Sequence, residues 1–598
     1  MKTMRAWPTL SAVTACLVGC VSSPRVPPDA GPLARPDAAR SGDIVTSSTA
    51  DWPDTIPLRG GPMAPVAPSM LGIRSAVAGP GRVVIADPDG DLLWLVDLPS
   101  QRALAIVLPA GAMPERMIED RDGRVHVVLR GVGAVATLAP SDTSATIRPV
   151  CAAPRGIALR TTSDDPRADT LLVACAEGVL ATMPVMGAGA TSVPVDDDLR
   201  DVVVLGDHVF VSRFRSGEVL EVDAATGAIL QRAQPEPLSG PDPLAPSGSG
   251  EPTIVVSVPR VAWRLQQQDD GLLLVHQVQR TAPIPSRDVG AAYGDASEST
   301  AIVQSARSTV AVHADGSLGT WSTERAPFRG PATDVYGDRW IRADGHVQAE
   351  LLDMPADALG NVAPFGPLWL ERAPLVLHYG DEPHRRWMAL DPTRRRDRGR
   401  DLFHQTSPSG VACASCHPEG GDDGHVWQNL PGIAVRTQTT RGDVLATPPY
   451  HREGDIADFD ALLHATWIGR MGGDALSTPD VDALTSWIGT LAIPARPAVD
   501  GDAAAAGRAI FERSDVACGR CHAGERFSSG ASADVGTGGS FQIPELRGVV
   551  YRAPFMHSGC AATLADVFTS GASCSGTLHA PAVTVAERRE LVAYLETL

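Results

Sequence analysis

Residues 202–211 read Val202-Val-Val-Leu-Gly-Asp-His-Val-Phe-Val211, and residues 217–227 read Gly217-Glu-Val-Leu-Glu-Val-Asp-Ala-Ala-Thr-Gly227. Short apolar runs separated by Asp-Gly and Gly-Asp turns are typical of antiparallel strands. Similar runs return over residues 61–390 at roughly 40 to 50 residues, which is the period of a propeller blade. The sequence therefore predicts an all-β region over residues 61–390.

Residues 217–227 resemble the blades of the YVTN/quinoprotein-like propellers. The resemblance implies an N-terminal β-propeller, and residues 61–390 are long enough for about seven blades. The alternative fold for the same strand pattern is a pair of β-sandwiches.

The C-terminal third contains two Cys-x-x-Cys-His pentads placed 105 residues apart, which are Cys413-Ala-Ser-Cys416-His417 and Cys518-Gly-Arg-Cys521-His522. This spacing is the signature of haem c attachment, in which two thiols bind the vinyl groups and the histidine ligates the iron. The sequence predicts two covalently bound haem c groups, with His417 and His522 as iron ligands. The alternative, a zinc knuckle, lacks a fourth ligand at short spacing.

The surroundings of the two pentads repeat as well, and Pro449-Tyr450 and Gly454 have counterparts at Pro554-Phe555 and Gly559 with the same 105-residue offset. A Gly-Arg segment with helical character precedes each pentad, and an apolar pattern of three- and four-residue steps closes each unit, with Thr478 and Thr584 as expected caps. These patterns predict two tandem all-α class I-like cytochrome c domains at residues 391–497 and 498–598.

The two pentads and five further segments of this region resemble the bacterial di-haem cytochrome c peroxidase/MauG family. The segments are Gly399-Arg-Asp-Leu-Phe403, Gly507-Arg-Ala-Ile-Phe511, Ile543-Pro-Glu-Leu-Arg-Gly-Val549, Arg552-Ala-Pro-Phe-Met-His-Ser-Gly559 and Ala562-Thr-Leu-Ala-Asp-Val-Phe568. The resemblance covers about a third of the chain. It implies a di-haem cytochrome that transfers electrons, with reduction of hydrogen peroxide at one haem. A MauG-like oxidase, and a partner-binding propeller lipoprotein with accessory haems, are the alternative functions.

One departure from that family puts the peroxidase activity in doubt. Where the family has a Phe-Trp-Asp-Gly-Arg segment, this chain reads Tyr450-His-Arg-Glu-Gly-Asp455, without tryptophan. Glu453 is the candidate catalytic carboxylate for cleavage of the O–O bond. The alternative is a surface ion pair between Arg452 and Glu453.

The sixth ligand of each iron decides between an electron carrier and a peroxidase. For the first haem the candidate is Met471, in Gly469-Arg-Met-Gly-Gly473, and its rivals are His425, His451 and His464. For the second haem the candidate is His579, followed by Met556. His557 matches a recurrent histidine of the family that forms hydrogen bonds near the haem.

The N-terminus has the pattern of a bacterial lipoprotein. Residues 1–19 combine two basic residues with a short apolar run, and Leu17-Val-Gly-Cys20 resembles a lipobox. The resemblance implies lipidation of Cys20 and a periplasmic or outer-membrane lipoprotein held to the membrane by lipid alone. The segment 20–60 is rich in Pro, Ala, Ser and Asp, which predicts a disordered tether. An ordinary signal peptide cleaved nearby is the alternative.

The net charge and the remaining cysteines limit the kinds of partner and the cellular compartment that the sequence predicts. A formal charge of −19 argues against nucleic acid, which requires a basic face. The expected partner is a redox protein such as a small cytochrome or a cupredoxin. Four further cysteines form two sequence-local pairs, Cys151 with Cys175 and Cys560 with Cys574, which we expect to be disulfides in an oxidising compartment.

Overall fold

A computed structural model of the chain describes residues 82–242 without residue 188, and residues 253–283, 302–325, 374–379, 386–393, 397–405, 411–430, 433–569 and 583–598, together with short pieces at 44–46, 66–67, 348–349 and 368–371 and the single positions 407, 571, 574, 576, 577 and 579. All of them belong to one compact unit, Ser41–Leu598. Of the described residues, 37% are in strands and 19% in helices.

The first three sheets follow one another along the chain, and their neighbouring strands are antiparallel. Sheet 1 has the order β1-β5-β4-β3-β2 and contains β1 (Ile44–Thr46), β2 (Val66–Ala67), β3 (Arg82–Asp87), β4 (Leu92–Asp97) and β5 (Arg102–Val107). Sheet 2 contains β6 (Pro114–Glu119), β7 (Val125–Leu129), β8 (Ala134–Leu138) and β9 (Thr146–Pro149). Sheet 3 contains β10 (Pro154–Arg160), β11 (Thr170–Cys175), β12 (Val179–Pro184) and β13 (Thr191–Pro194).

The next three sheets are built in the same way. Sheet 4 contains β14 (Leu199–Leu205), β15 (His208–Arg213), β16 (Val219–Val222) and β17 (Ile229–Ala233). Sheet 5 contains β18 (Leu238–Pro241), β19 (Ile254–Gln268), β20 (Gly271–Arg280), β21 (Val303–Ala311) and β22 (Ser322–Arg325). Sheet 6 contains β23 (Gln348–Ala349), β24 (Leu368–Glu371), β25 (Leu375–Tyr379) and β26 (Arg386–Asp391).

Aspartate side chains stabilise turns between neighbouring strands. In the segment 217–227, the carboxylate of Asp223 accepts hydrogen bonds from the backbone N–H groups of Ala225 (2.8 Å) and Thr226 (3.0 Å). Gly227 ends this turn with a φ of +77°, a conformation that glycine adopts without a steric penalty. The turn therefore joins β16 to β17 as a hairpin.

Neighbouring sheets pack face to face through apolar side chains. The layer between sheets 1 and 2 includes Val84, Leu93, Ile106, Val127 and Leu138, all of them buried. Similar clusters join sheets 2 and 3, sheets 3 and 4, and sheets 4 and 5. A series of small antiparallel sheets packed in this manner fits a β-propeller. The described residues contain six such sheets, where about seven blades were predicted.

The prediction of two all-α cytochrome domains is wrong. Among its described residues, the C-terminal region has only short helices: α1 (Arg398–His404), α2 (Cys413–Cys416), α3 (Phe459–His464), α4 (Thr478–Ile488), α5 (Gly501–Glu512), α6 (Leu564–Val567) and α7 (Val585–Glu596). It also contains two β-hairpins, β27 (Val426–Leu430) with β28 (Ile433–Arg436) and β29 (Ser532–Asp534) with β30 (Ser540–Gln542). The helical pattern was extended across segments that form hairpins and loops.

The predicted caps of the two closing helices have different outcomes. The hydroxyl of Thr584 accepts from the N–H of Glu587 and caps α7 as expected. In the first unit the cap is Ser477, whose hydroxyl accepts from the N–H of Asp480, while Thr478 is already the first helical residue.

The segment 1–19, Cys20 and most of the tether 20–60 lie outside the described residues. Among the residues that are described, no helix is long and apolar enough to cross a membrane. The predicted boundaries at 390/391 and 497/498 stay predictions.

Candidate cofactor site at the two Cys-x-x-Cys-His pentads

The first pentad forms the short helix α2 and ends in a histidine whose ring is oriented by the backbone. The N–H of His417 donates to the carbonyl of Cys413 (2.9 Å), and its Nδ1 lies 3.2 Å from the carbonyl oxygen of Gly421. A carbonyl oxygen only accepts, so Nδ1 carries the proton and Nε2 keeps its lone pair. Burial lowers the pKa of His417, which keeps the ring neutral at pH 7.

The second pentad repeats this arrangement. The N–H of His522 donates to the carbonyl of Cys518 (3.0 Å), and Nδ1 lies 3.0 Å from the carbonyl oxygen of Phe527. Burial lowers the pKa of His522 to about 4. Each pentad therefore presents a neutral imidazole whose Nε2 is ready to bind a metal, with the ring held by a bond at the other nitrogen.

The described cysteines fall into two groups of four. Two disulfides, Cys151–Cys175 and Cys560–Cys574, confirm the predicted local pairs. The four pentad cysteines are half-buried free thiols: Cys413, Cys416, Cys518 and Cys521. In this part of the chain the pentads are thus the places where thiols remain available for another bond.

The two units around the pentads share a helix crossing that depends on glycine. Helix α1 packs on α4, and α5 packs on α7. A Cβ on Gly399 would lie 2.1 Å from the carbonyl oxygen of Ala483, and one on Gly507 would lie 1.9 Å from that of Glu590. Only glycine permits this close approach, so the repeated Gly-Arg segments have a packing role that the sequence repeat did not specify.

Aromatic contacts beside the crossings repeat as well. The rings of Phe403 and Trp487 lie 4.6 Å apart, and those of Phe511 and Tyr594 lie 5.4 Å apart. In each unit one ring comes from the first helix and the other from the closing helix. The internal duplication seen in the sequence therefore extends to the packing of each unit.

The first unit contacts the hairpin of the second unit through residues 448–454. The N–H of Gln542 donates to the carbonyl of Arg452 (2.9 Å), and the hydroxyl of Ser532 donates to that of Glu453 (3.1 Å). Both donors belong to the β29–β30 hairpin.

The second unit makes the matching contact in the opposite direction, through residues 553–559. The N–H of Arg436, on β28, donates to the carbonyl of His557 (3.1 Å). A Cβ on Gly559 would lie 2.5 Å from Cγ2 of Val426, on β27. Each unit thus places one loop on the other unit's hairpin, and the two units form a reciprocal pair.

Met471 lies at the first pentad. It is buried, and it belongs to a cluster that contains Cys413 and Cys416 together with Trp427 and Trp467. The structure therefore brings the predicted sixth ligand and the first pentad together. Ile302 and Val303, from the β21 end of sheet 5, complete the same cluster.

The rival histidines of the first unit have other partners. The Nδ1 of His451 lies 2.8 Å from Asp455 and its Nε2 lies 2.6 Å from Arg470. His425 is buried, and its Nε2 lies 3.2 Å from the carbonyl oxygen of Arg280 on β20. The Nδ1 of His464 lies 2.8 Å from the carbonyl oxygen of Asp460, on its own helix α3. His451 and His425 use Nε2 for these contacts, and the side chain of His464 is 39% exposed, whereas Met471 is buried beside the pentad cysteines.

The second pentad has two half-buried candidates nearby. Met556 packs against the core cluster that includes Cys518. His579 lies close enough to His522 for its charge to contribute to the lowered pKa of His522. His557 instead stacks on Phe541, with ring centroids 3.8 Å apart.

Glu453 lies at the contact between the two units. Its carboxylate forms ion pairs with Arg452 and with Nδ1 of His451, and its side chain is 37% exposed. Arg452 also lies over the ring of Phe541 at 5.3 Å. The surface ion pair considered as an alternative is therefore present, and it takes part in the contact between the units.

The sequence reasoning missed Glu419, which lies two residues after His417. Its carboxylate is buried and forms ion pairs with Arg130 (3.1 Å), Arg155 (3.0 Å) and Arg200 (2.6 Å). Burial alone raises the pKa of a carboxyl group, but these guanidinium groups hold the pKa of Glu419 well below its usual range. The loop after the first pentad is thereby attached to sheets 2, 3 and 4.

Asp422, in the same loop, attaches the loop both to the sheet 4 region and to the β27–β28 hairpin. Its carboxylate pairs with Arg215 of the sheet 4 region (3.0 Å) and with Arg436 of β28 (2.9 Å). Burial raises its pKa, yet the two arginines outweigh that effect and hold the pKa below its usual value.

A repeated sequence signal accompanies these arginines. An arginine occurs near the start of the first strand of sheets 2, 3 and 4, at Arg116, Arg155 and Arg200, and Arg260 lies in the second strand of sheet 5, β19. Each of these strands has a β-bulge there, between 114 and 117, 154 and 156, 199 and 202, and 260 and 264. Bulges re-aim side chains at the ends of strands. An arginine that recurs at about the spacing of one blade was the feature of the sequence from which a group of buried arginines could have been predicted.

Two groups of three donor side chains occur among the described residues at metal-binding distances. They are Cys151, Cys175 and Glu177, where the thiols form a disulfide, and His451, Glu453 and Asp455. Neither group includes a pentad residue, so the described part of the chain gives no support to a zinc knuckle at the pentads.

Comparison with known proteins adds little. No protein-family model and no curated protein matches the chain. A hydrazine synthase structure from Kuenenia stuttgartiensis is 23% identical over 33% of this chain and 86% of its own, with a TM-score of 0.30. A MauG-like protein associated with microbial copper homeostasis is 17% identical over 33% and 87%, with a TM-score of 0.27. Virginiamycin B lyase from Staphylococcus aureus is 11% identical over 49% and 90%, with a TM-score of 0.28. Similarities at these TM-scores carry no argument about function.

Proposed function

We propose that the chain is a di-haem c-type cytochrome that transfers electrons in the cell envelope. One observation carries the proposal: each pentad combines two free thiols with a neutral histidine whose Nδ1 is bonded to a backbone carbonyl, while the other four described cysteines form disulfides. Covalent haem attachment requires free thiols and an imidazole Nε2 at this spacing.

The residues present fit that cofactor. Cys413 and Cys416 would hold one haem, Cys518 and Cys521 the other, and His417 and His522 would ligate the irons. The bound groups supply reversible one-electron transfer. The chain orients each imidazole through the carbonyl that accepts its Nδ1–H, and it excludes water from the first site with the apolar cluster around Met471.

Electron transfer is the function that the first site favours. Met471 is buried beside the first pentad, which supports its assignment as the residue that would bind the iron together with His417. A methionine sulfur would raise the reduction potential relative to a second histidine. The exchange partner we propose is a small cytochrome or a cupredoxin.

Hydrogen peroxide reduction at the second haem is the second candidate function. It is favoured by the half-buried surroundings of Met556 and His579, which contrast with the buried Met471. Glu453, at the contact between the units, is the carboxylate we propose for the proton transfer that O–O cleavage requires.

For the location of the protein we propose an envelope lipoprotein anchored through Cys20. The two disulfides support an oxidising compartment. A Cys20→Ser variant should lose incorporation of labelled fatty acid and leave the membrane fraction, and retention of the label in this variant would refute the anchor.

Optical and EPR spectra of the full chain, oxidised and then half reduced, test the function. Two low-spin haems that do not react with peroxide support an electron carrier. A high-spin haem with rapid peroxide consumption that Glu453→Gln slows at least tenfold establishes the second candidate. Absence of any haem spectrum contradicts both.

A further inference from the structure

The loop 418–422 connects the first pentad to the propeller-like sheets. Its Gly421 carbonyl accepts the Nδ1 proton of His417. Arg441 donates to the backbone carbonyl of Glu419 (2.6 Å) and also lies 3.8 Å from its carboxylate. The contacts that hold Glu419 in place therefore also hold the Gly421 carbonyl that orients the imidazole of His417.

The charges around this loop do not cancel. Four guanidinium groups surround the buried carboxylate of Glu419, and we call them the arginine cluster: Arg130, Arg155, Arg200 and Arg441. Glu115, which lies 2.5 Å from Arg130, is a second carboxylate in the group. Arg116 pairs with Asp201 beside it, at 2.9 Å. The arginine cluster thus keeps an excess of positive charge in a buried place, where solvent screens it weakly.

Within the described residues, the second pentad has no counterpart of Glu419 and its arginine cluster. The position 105 residues after Glu419 is Gly524, which carries no charge. Arg526, in the same turn, pairs with Asp443 at a half-exposed place (3.4 Å). The two sites therefore share the ring-orienting bond and differ in their electrostatic surroundings.

We propose that Glu419 holds the first haem-binding loop on the arginine cluster, and that the net positive charge of the cluster raises the reduction potential of the haem at His417 above that of the haem at His522. The inference rests on the proposed function. A ferric haem carries one more positive charge than a ferrous haem, so buried positive charge nearby favours the reduced state. The arginines of the propeller-like sheets then supply positive charge near the first haem, and they form ion pairs with the loop 418–422.

Spectroelectrochemical titration of the haem-loaded full chain tests the proposal. Glu419→Gln removes a negative charge and should shift the equilibrium of the first haem toward the reduced state, on the order of tenfold, which corresponds to about 59 mV for a one-electron couple. Arg155→Gln removes a positive charge and should shift the same haem in the opposite direction. The potential of the second haem should stay constant in both variants.

Asp169→Asn is the matched control, because Asp169 is a buried carboxylate of sheet 3 that pairs with Arg121 (2.6 Å) away from the loop. It should change neither potential. Opposite shifts confined to one haem support the proposal, and shifts of equal sign or none overturn it. If Glu419→Gln does not fold, the direction of the shift in Arg155→Gln decides. A wild-type chain without haem would refute the proposed function instead, which a pyridine haemochrome assay shows beforehand.

Discussion

His417 and His522 have the same pair of backbone bonds although they lie in different local structures. The first follows an α-helical turn and the second a 3₁₀ turn. In both, the N–H bonds to the first pentad cysteine and Nδ1 bonds to a carbonyl beyond the ring. The orientation of the imidazole is therefore a property of the loop that follows the pentad.

A His417→Ala variant tests this role at the residue scale. It keeps Cys413 and Cys416, so the first haem should remain attached while its low-spin spectrum is lost. Absorption and EPR spectra measure the change. His313→Ala, at an exposed histidine of the sheet 5 region, is the control and should leave both spectra intact. An unchanged spectrum in His417→Ala would refute the assignment of this ligand.

His276, on β20, provides a pH-dependent contribution to stability. It is fully buried between Ser308 (2.7 Å) and the carbonyl of Gln277 (2.8 Å), and burial lowers its pKa to about 4. Between about pH 4 and 6.5 the unfolded chain binds the proton and the folded chain does not, so stability falls as the pH falls. This loss amounts to about 3 kcal/mol.

A His276→Gln variant should therefore show a smaller loss of unfolding free energy between pH 7.5 and pH 4 than the wild type. Denaturant titrations at several pH values measure the two slopes. Equal slopes in variant and wild type would contradict the assignment of this effect to His276.

At the scale of elements, the helix crossings are the part of the C-terminal region that repeats most closely. Gly507, on α5, approaches the carbonyl of Glu590 on α7, and a Cβ there would lie 1.9 Å from that oxygen. An added methyl group forces the helices apart, because backbone atoms cannot yield as a flexible side chain does.

Gly507→Ala should thus destabilise the chain by about 1–3 kcal/mol in thermal or denaturant unfolding. Gly501→Ala is a control in the same helix, since a Cβ at Gly501 meets no atom within 4 Å. It should be neutral or stabilise slightly by restricting the unfolded chain. Equal effects of the two substitutions would contradict the close crossing.

The elements also show what the sequence could predict. The strands around residues 202–227 and the cap of α7 at Thr584 depend on residues that are close in the chain, and they were predicted. The hairpins β27–β28 and β29–β30 were missed because each is short and is stabilised by a loop of the other unit. A contact between residues about 100 positions apart leaves no local periodicity.

At the scale of the whole molecule, the propeller-like sheets and the C-terminal region share one buried ionic network. Glu419 and Arg130 are 289 positions apart in the chain, and both side chains are buried. The spacing of cysteines and histidines in the sequence was sufficient to predict the pentads and their duplication. The sequence did not predict the ion pairs that attach the first pentad to the sheets, because residues so far apart in the chain are brought together only by the fold.

Separation of the two regions should therefore be costly. An isolated segment 391–598 would lose the arginines of the sheets that pair with Glu419 and Asp422, so the loop 418–422 would lose the ion pairs that fix its position beside His417. We expect this segment to melt at a lower temperature than the full chain and to show a disturbed spectrum for its first haem. An identical melting temperature and spectrum in the isolated segment would contradict a structural role of the sheets.

The central claim, that each pentad holds one haem c, is tested most directly by haem stoichiometry. The full chain, co-expressed with a cytochrome c maturation system, is measured by intact mass and by pyridine haemochrome absorbance, next to a Cys413→Ala/Cys416→Ala variant. The account predicts two covalently bound haems in the wild type and one in the variant. A chain that carries no haem, or a variant that still carries two, would contradict it.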